Sequence, residues 1–289
     1  MMDLTEFRRG LSALFVVVFV PLCCHAQRNG EIERLRMENI YLKQKNDSLR
    51  RALNEFERDH VFDLWDSLTG IGDEKEDDGD AYSGFGMSTG AKDMAFQKEV
   101  MSTIPFLSLS YDEMFRAYID QYTIGRRQIM PGILRRYYSH LPLFQETFRR
   151  YGVPEQLAAL CIVESAVSRK ALSPAGAYGM WQLMPETARQ YGLRVDGDMD
   201  ERGDVRKSTD AAARVLRDLK RSLGSWDLAV LAYNCGSGNV RKAIVKSGGA
   251  KDVWDIYDLL PRETRAYLPS FVAANYCVFF SDILFPKNP

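Results

Sequence analysis

The chain has 289 residues, of which 46% are hydrophobic and 27% charged, with a formal net charge of −1. That composition suits one medium-sized core with appendages and excludes a disordered or collagen-like chain. No nucleic-acid-binding motif is present, and near-neutral charge gives no reason to expect such a partner.

The charge is unevenly spread. Residues 55–98 carry twelve acidic against four basic side chains, whereas residues 103–289 carry twenty acidic against twenty-five basic. A mildly basic C-terminal region suits a polymer bearing carboxylates, although ordinary surface charge explains so small a balance equally well.

Residues 1–26 read as a signal peptide. Arg8 and Arg9 form a basic start, 11–20 is a short apolar run, and Cys24-His25-Ala26 precedes a cut before Gln27. The run is short for a membrane span. The chain is therefore expected to be exported, to the periplasm or cell envelope. Cys23 and Cys24 raise lipid anchoring, but Val20-Pro21-Leu22 suits a lipoprotein signal poorly, so cleavage and release is favoured. A retained N-terminal anchor, giving membrane association, is the third option.

Residues 27–60 predict a coiled-coil-like helix. Ile32, Asn39, Asn46 and Leu53 repeat every seven residues, and Leu35, Leu42, Leu49 and Phe56 follow three residues later. This is heptad spacing over 31–57, consistent with a homodimer, and Asn at a core position fixes register while costing stability. A single surface helix is the alternative. Residues 61–100 read as an acidic, Gly-rich linker, and high charge with few large apolar groups predicts flexibility over 70–93.

The folded domain is expected over 101–289 and is all helical. The spacing predicts helices over 111–122, 130–138 and 141–151, a helix around Glu164 ending between Ser165 and Ser173, and a short helix over 185–191 before Gly192. Ala211, Val215, Leu219 and Leu223 mark another, closed by Gly224. Ser225 can cap 226–233. The last long helix runs over 262–280, interrupted or kinked near Pro269. A small hairpin is expected near 194–200.

The stretch 151–193 organises the rest. Glu164 shares a helix face with Leu157, Leu160 and Cys161. A carboxylate there is desolvated, which raises its pKa and suits a general acid. A buried structural Glu is the plainer reading of that one residue. Other motifs follow in order: Glu164-Ser165, Gly179-Met180-Trp181-Gln182, Ala232-Tyr233-Asn234-Cys235-Gly236, and Glu263-Thr264-Arg265-Ala266-Tyr267.

With these four motifs the sequence resembles the lytic transglycosylases, most of all the membrane-bound lytic transglycosylase D branch. The resemblance covers roughly 111–289. It implies a mainly α, lysozyme-like helical domain with a substrate groove, preceded here by the coiled-coil-like helix and the flexible acidic linker. It implies non-hydrolytic cleavage of peptidoglycan glycan strands between N-acetylmuramic acid and N-acetylglucosamine, leaving 1,6-anhydro ends, with Glu164 as sole acid and base. By the same resemblance, Ser165, Ser173, Gly179, Gln182, Met184, Tyr233, Asn234, Glu263 and Tyr267 are substrate-binding candidates. Tyr267 is the expected direct partner of Glu164, while Trp181 could face sugar or fill the core, the core being favoured.

Two competing functions remain. A lysozyme-like hydrolase would need a second carboxylate, for which Asp196, Asp198, Asp200 and Asp204 are the candidates, though they read as a solvated loop. A non-catalytic cell-wall-binding scaffold would have no use for the motif residues. Cys161, Cys235 and Cys277 lie at scattered spacing that is neither a disulfide framework nor a metal site. They read as structural, so no metal and no cofactor are expected.

Overall fold

The computed structural model describes residues 89–286, with side chains from Met94 onward. The expected signal peptide, the expected heptad helix and the expected linker up to residue 88 lie outside the described residues. What is described is mainly helical, as the sequence pattern predicts.

The first helix, α1 (Thr89–Ser102), begins inside the stretch expected to be linker. Phe96 and Val100 are four residues apart and share a helix face. Val100 is buried, Phe96 packs against Tyr111 and Tyr276, and the Arg116 guanidinium lies 4.1 Å above the Phe96 ring. Tyr276 also donates a hydrogen bond to Glu99. These contacts carry the packed body N-terminal of residue 101.

Next come α2 (Met114–Asp120), which continues as a π-turn over Gln121–Gly125, and α3 (Met130–Arg150). The sequence pattern splits α3 into two helices, but the structure runs through as one. Pro142 is exposed, so water can reach the carbonyl that its ring leaves without a helical donor, and the helix need not break.

A 3-10 turn (Glu155–Ala159) leads into the short α4 (Leu160–Ser165), which carries Glu164. It stops at Ala166, in the left-handed region, as the expected boundary requires. Then follow α5 (Pro185–Gln190) and α6 (Val205–Leu223), with an isolated bridge between Val195 and Asp200 where the hairpin was expected. Gly224 ends α6 with φ +97°, a conformation open to glycine at little cost. Ser225 accepts from the Leu228 N–H and caps α7 (Trp226–Cys235). Helices α8 (Ser237–Lys246) and α9 (Val253–Ile256) escape the sequence pattern. Only Val240 and Ala243 are buried along α8, too thin an apolar stripe to read.

Helix α10 (Arg262–Phe279) is the axis of the body, and α11 (Ser281–Leu284) follows it. From Thr264 to Cys277 every residue but Arg265 is buried, so the helix is enclosed nearly all round. It packs against α2, α4 and α7. Pro269 lies within it without ending it. Proline leaves the carbonyl four residues earlier, that of Arg265, without its helical donor. The Tyr257 hydroxyl supplies the missing bond, donating to the Arg265 carbonyl at 2.7 Å. Tyr257→Phe should therefore remove the donor from a part-buried acceptor and lower the unfolding free energy by about 1 kcal/mol in urea titrations.

Candidate active site

The site is a groove of about 950 Å³ running past Glu164. One wall is the loop between α4 and α5. Bridges Leu172–Tyr178 and Tyr178–Leu183 fold it on itself. Three side chains then fix it from outside, and one of its own anchors it in the core. Ser165 donates to the Met180 carbonyl, and Tyr233 to the Trp181 carbonyl. Arg202 donates to the Gly176 and Leu183 carbonyls while paired with Asp200. Trp181 is fully buried between Phe144 and Phe148, with its indole N–H on Thr209.

Glu164 projects from the last turn of α4 into the groove. Tyr267, on α10, donates to its Oε1 at 2.6 Å. Burial pushes the Glu164 carboxyl from 4.5 up to about 8; the Tyr267 hydrogen bond opposes that shift and the Glu263 charge adds to it. Burial and the Glu164 charge drive the Tyr267 phenol well above its usual range, so it stays a donor. Tyr267→Phe should raise the Glu164 pKa further, because the opposing bond is lost. A hydrogen bond to a charged group contributes roughly 1.5–3 kcal/mol, so if the groove cleaves glycan as the sequence resemblance implies, the variant should do so about 10- to 100-fold more slowly, with the alkaline limb of its pH profile moved upward.

Several expected residues do line the groove: Ser173, Gln182, Met184, Tyr233, Asn234, Glu263 and Tyr267. Their duties differ. Gln182 donates to the Ala171 and Gly179 carbonyls, so its amide nitrogen holds the loop and its oxygen is the end left for a ligand. The Ser173 hydroxyl accepts from the Ala177 N–H. Thr264 donates to Asn234 Oδ1, leaving the amide nitrogen for the groove. Met184 is a partly exposed apolar surface, and Glu263 is exposed.

Two expected ligand contacts lie elsewhere. Ser165 is fully buried and bonds to the Cys161 and Met180 carbonyls, facing away from the groove. It therefore positions the loop from outside the groove. Gly179 does not line the groove either. A Cβ there would lie 2.3 Å from the Arg202 carbonyl oxygen, so glycine is required by backbone packing.

The aspartates considered as a second acid are spent on structure. Asp196 accepts from Met199 N and Arg194, Asp200 pairs with Arg202, and Asp204 caps α6. None of them, nor Asp198, lines the groove. The carboxylates that line it with Glu164 are Glu263 and, at the far end, Asp218. Asp218 accepts from Tyr191 and Arg217, and the Arg217 bond holds its pKa down. That end of the groove, with Val215 and Leu219, was not legible, because the α6 stripe reads simply as core. Tyr122 was missed as well, having no motif around it.

Cys235 lines the groove, where the sequence reading made it purely structural. All three described cysteines are free. Among the described residues no group of three His, Cys, Asp or Glu could hold a metal ion, and no helix is long and apolar enough to cross a membrane.

Residues 142–255 match the family described as Transglycosylase SLT domain, so the site sits on a lytic-transglycosylase-like domain resembling the membrane-bound lytic murein transglycosylase D branch. Over 140 residues the chain is 41% identical to membrane-bound lytic murein transglycosylase D of Escherichia coli K12, covering 47% of this chain and 29% of that one. It is 28% identical over 161 residues to membrane-bound lytic murein transglycosylase F of Alcanivorax borkumensis, covering 52% and 34%. The 70 kDa soluble lytic transglycosylase SLT70 of E. coli superposes with a TM-score of 0.41 at 26% identity, over 48% of this chain and 25% of that one. The chain thus spans about a third or less of the length of these relatives.

Proposed function

We propose that the chain is a peptidoglycan lytic transglycosylase with Glu164 as its sole acid and base. The observation that carries this reading is the Glu164 carboxyl, raised to about 8 and bonded at Oε1 by Tyr267. At neutral pH it is protonated. With Oε1 occupied as an acceptor, the proton sits on Oε2 and faces the glycosidic oxygen. Protonation of that oxygen breaks its bond to C1 of N-acetylmuramic acid, and the N-acetylglucosamine side leaves as an alcohol. The resulting carboxylate then takes the proton from the C6 hydroxyl of the same muramic residue. The C6 oxygen closes onto C1, giving the 1,6-anhydro sugar and restoring protonated Glu164. Internal attack replaces water and gains from proximity. Asn234, through its amide nitrogen, suits an acetamido carbonyl.

Two of the named relatives are, by name, membrane-bound lytic murein transglycosylases, and residues 1–26 fit export to the periplasm or cell envelope. Pairing through 31–57 would make the enzyme a dimer.

Mass spectrometry of sugars released from purified peptidoglycan by the full chain tests the reaction. Anhydromuramic ends, lighter by one water than hydrolysis products, are expected. Reducing ends would make the protein a hydrolase, and Glu263 is then the groove carboxylate to examine. No products with glycan still bound would leave a wall-binding scaffold.

A further inference from the structure

A second cleft, of about 410 Å³, is lined by Arg136, His140 and residues 165–170. It shares no lining residue with the groove: Glu164 lines one and Ser165, next in the chain, the other. Its ionisable lining is wholly basic, namely Arg136, His140, Arg169 and Lys170, with no carboxylate among the lining residues. Arginines elsewhere on the domain find carboxylates, as in Arg149–Glu155, Arg194–Asp196 and Arg214–Asp210. Among the described residues no ion pair forms at Arg136, Arg169 or Lys170. Three like charges gathered in one concavity repel one another and focus positive potential there.

The cleft is also built, not merely lined. Arg136 donates through Nε and Nη2 to the Ala166 carbonyl at 3.3 and 2.9 Å, which fixes the guanidinium and leaves Nη1 for a ligand. Ala166 and Val167, at φ 49° and 64°, hold the chain in a tight left-handed turn that brings Arg169 and Lys170 back beside α3. His140 packs on Phe144, and burial together with the Arg169 charge lowers its pKa, so near neutrality it offers one neutral N–H.

We infer that this cleft is a binding site for an oxyanion, a carboxylate or a phosphate, held by Arg136, Arg169 and Lys170 with His140 as a neutral donor. Planar guanidinium donors and an ammonium at one concave site match either group. The inference does not depend on the proposed cleavage reaction.

Isothermal titration of the full chain at constant ionic strength tests it, with two probes: inorganic phosphate, and an N-acetylated dipeptide bearing a free C-terminal carboxylate. Saturable binding near one per chain is expected for at least one probe, and which one saturates identifies the source of the anion. The Arg169→Gln/Lys170→Gln double variant should weaken that binding at least about 10-fold, as loss of two charge-assisted bonds implies. Both side chains are exposed, and an unchanged thermal transition checks that the fold is retained. Lys242→Gln/Lys246→Gln, on exposed α8 positions, removes the same charge elsewhere and should leave binding intact. No saturable binding of either probe, or equal weakening in both double variants, would overturn the inference.

Discussion

Glu164→Gln will abolish glycan cleavage, by about 10³-fold or more, and will make the protein more stable at alkaline pH. The first effect follows because an amide can neither give nor take the proton that both halves of the reaction need. The second follows from the carboxyl's surroundings. Folded, it titrates at about 8; its ordinary value is 4.5. Between those values the native state holds a proton that the unfolded state has released. Stability therefore falls as pH rises through this window and levels off above the folded value. The groove admits some water, which moderates the effect, and we expect the variant to gain about 2–4 kcal/mol over wild type at pH 9 and little at pH 4. Urea titrations at the two pH values read this directly, since other titrating groups cancel in the difference. A gap that does not widen with pH would mean the carboxyl is well solvated, and the case for Glu164 as a proton donor at neutral pH would go with it.

Gly179→Ala will unfold or loosen the groove wall. The residue has φ +81°, and an added Cβ would meet the Arg202 carbonyl at 2.3 Å for oxygen and 2.9 Å for carbon. Both atoms are backbone, so no side-chain rotation relieves the clash. Shifting Arg202 would disturb its bonds to the Gly176 and Leu183 carbonyls and its pair with Asp200. We expect a loss of about 3 kcal/mol or more, the range typical of overpacking combined with backbone strain. Gly176→Ala is the control. Its φ is +87°, but nothing lies within 4 Å of the added Cβ, so it carries only conformational strain of about 1–2 kcal/mol. Equal losses in the two variants, measured by denaturant titration, would show that strain alone decides the matter and that the close approach to Arg202 is unimportant.

The sequence carries some of this well and some not at all. The Glu164–Tyr267 pair was legible because each residue stands in a motif. Trp181 could by its sequence face sugar or fill the core, and the core position favoured for it is the one it takes. Ser165 was expected at the groove but lies outside its lining, because adjacency to Glu164 in sequence says nothing about which side of a helix a side chain takes. Gly179 was expected at the groove but lies outside its lining, and the partner that forbids a side chain there, the Arg202 carbonyl, is remote in sequence. The continuity of α3 was missed, because the two helices expected over 130–138 and 141–151 run on as one. Asp218 and Tyr122 reach the groove by tertiary packing alone, which leaves no local trace.

The Tyr267–Glu164 hydrogen bond spans 103 residues of chain. During synthesis the acid is made first, and its partner arrives only with the last long helix, which is also the centre of the core. Until α10 docks there is neither a packed interior around Glu164 to raise its pKa nor a phenol to orient it. On the proposed reading, a chain that still lacks α10 has no oriented, protonated acid at neutral pH.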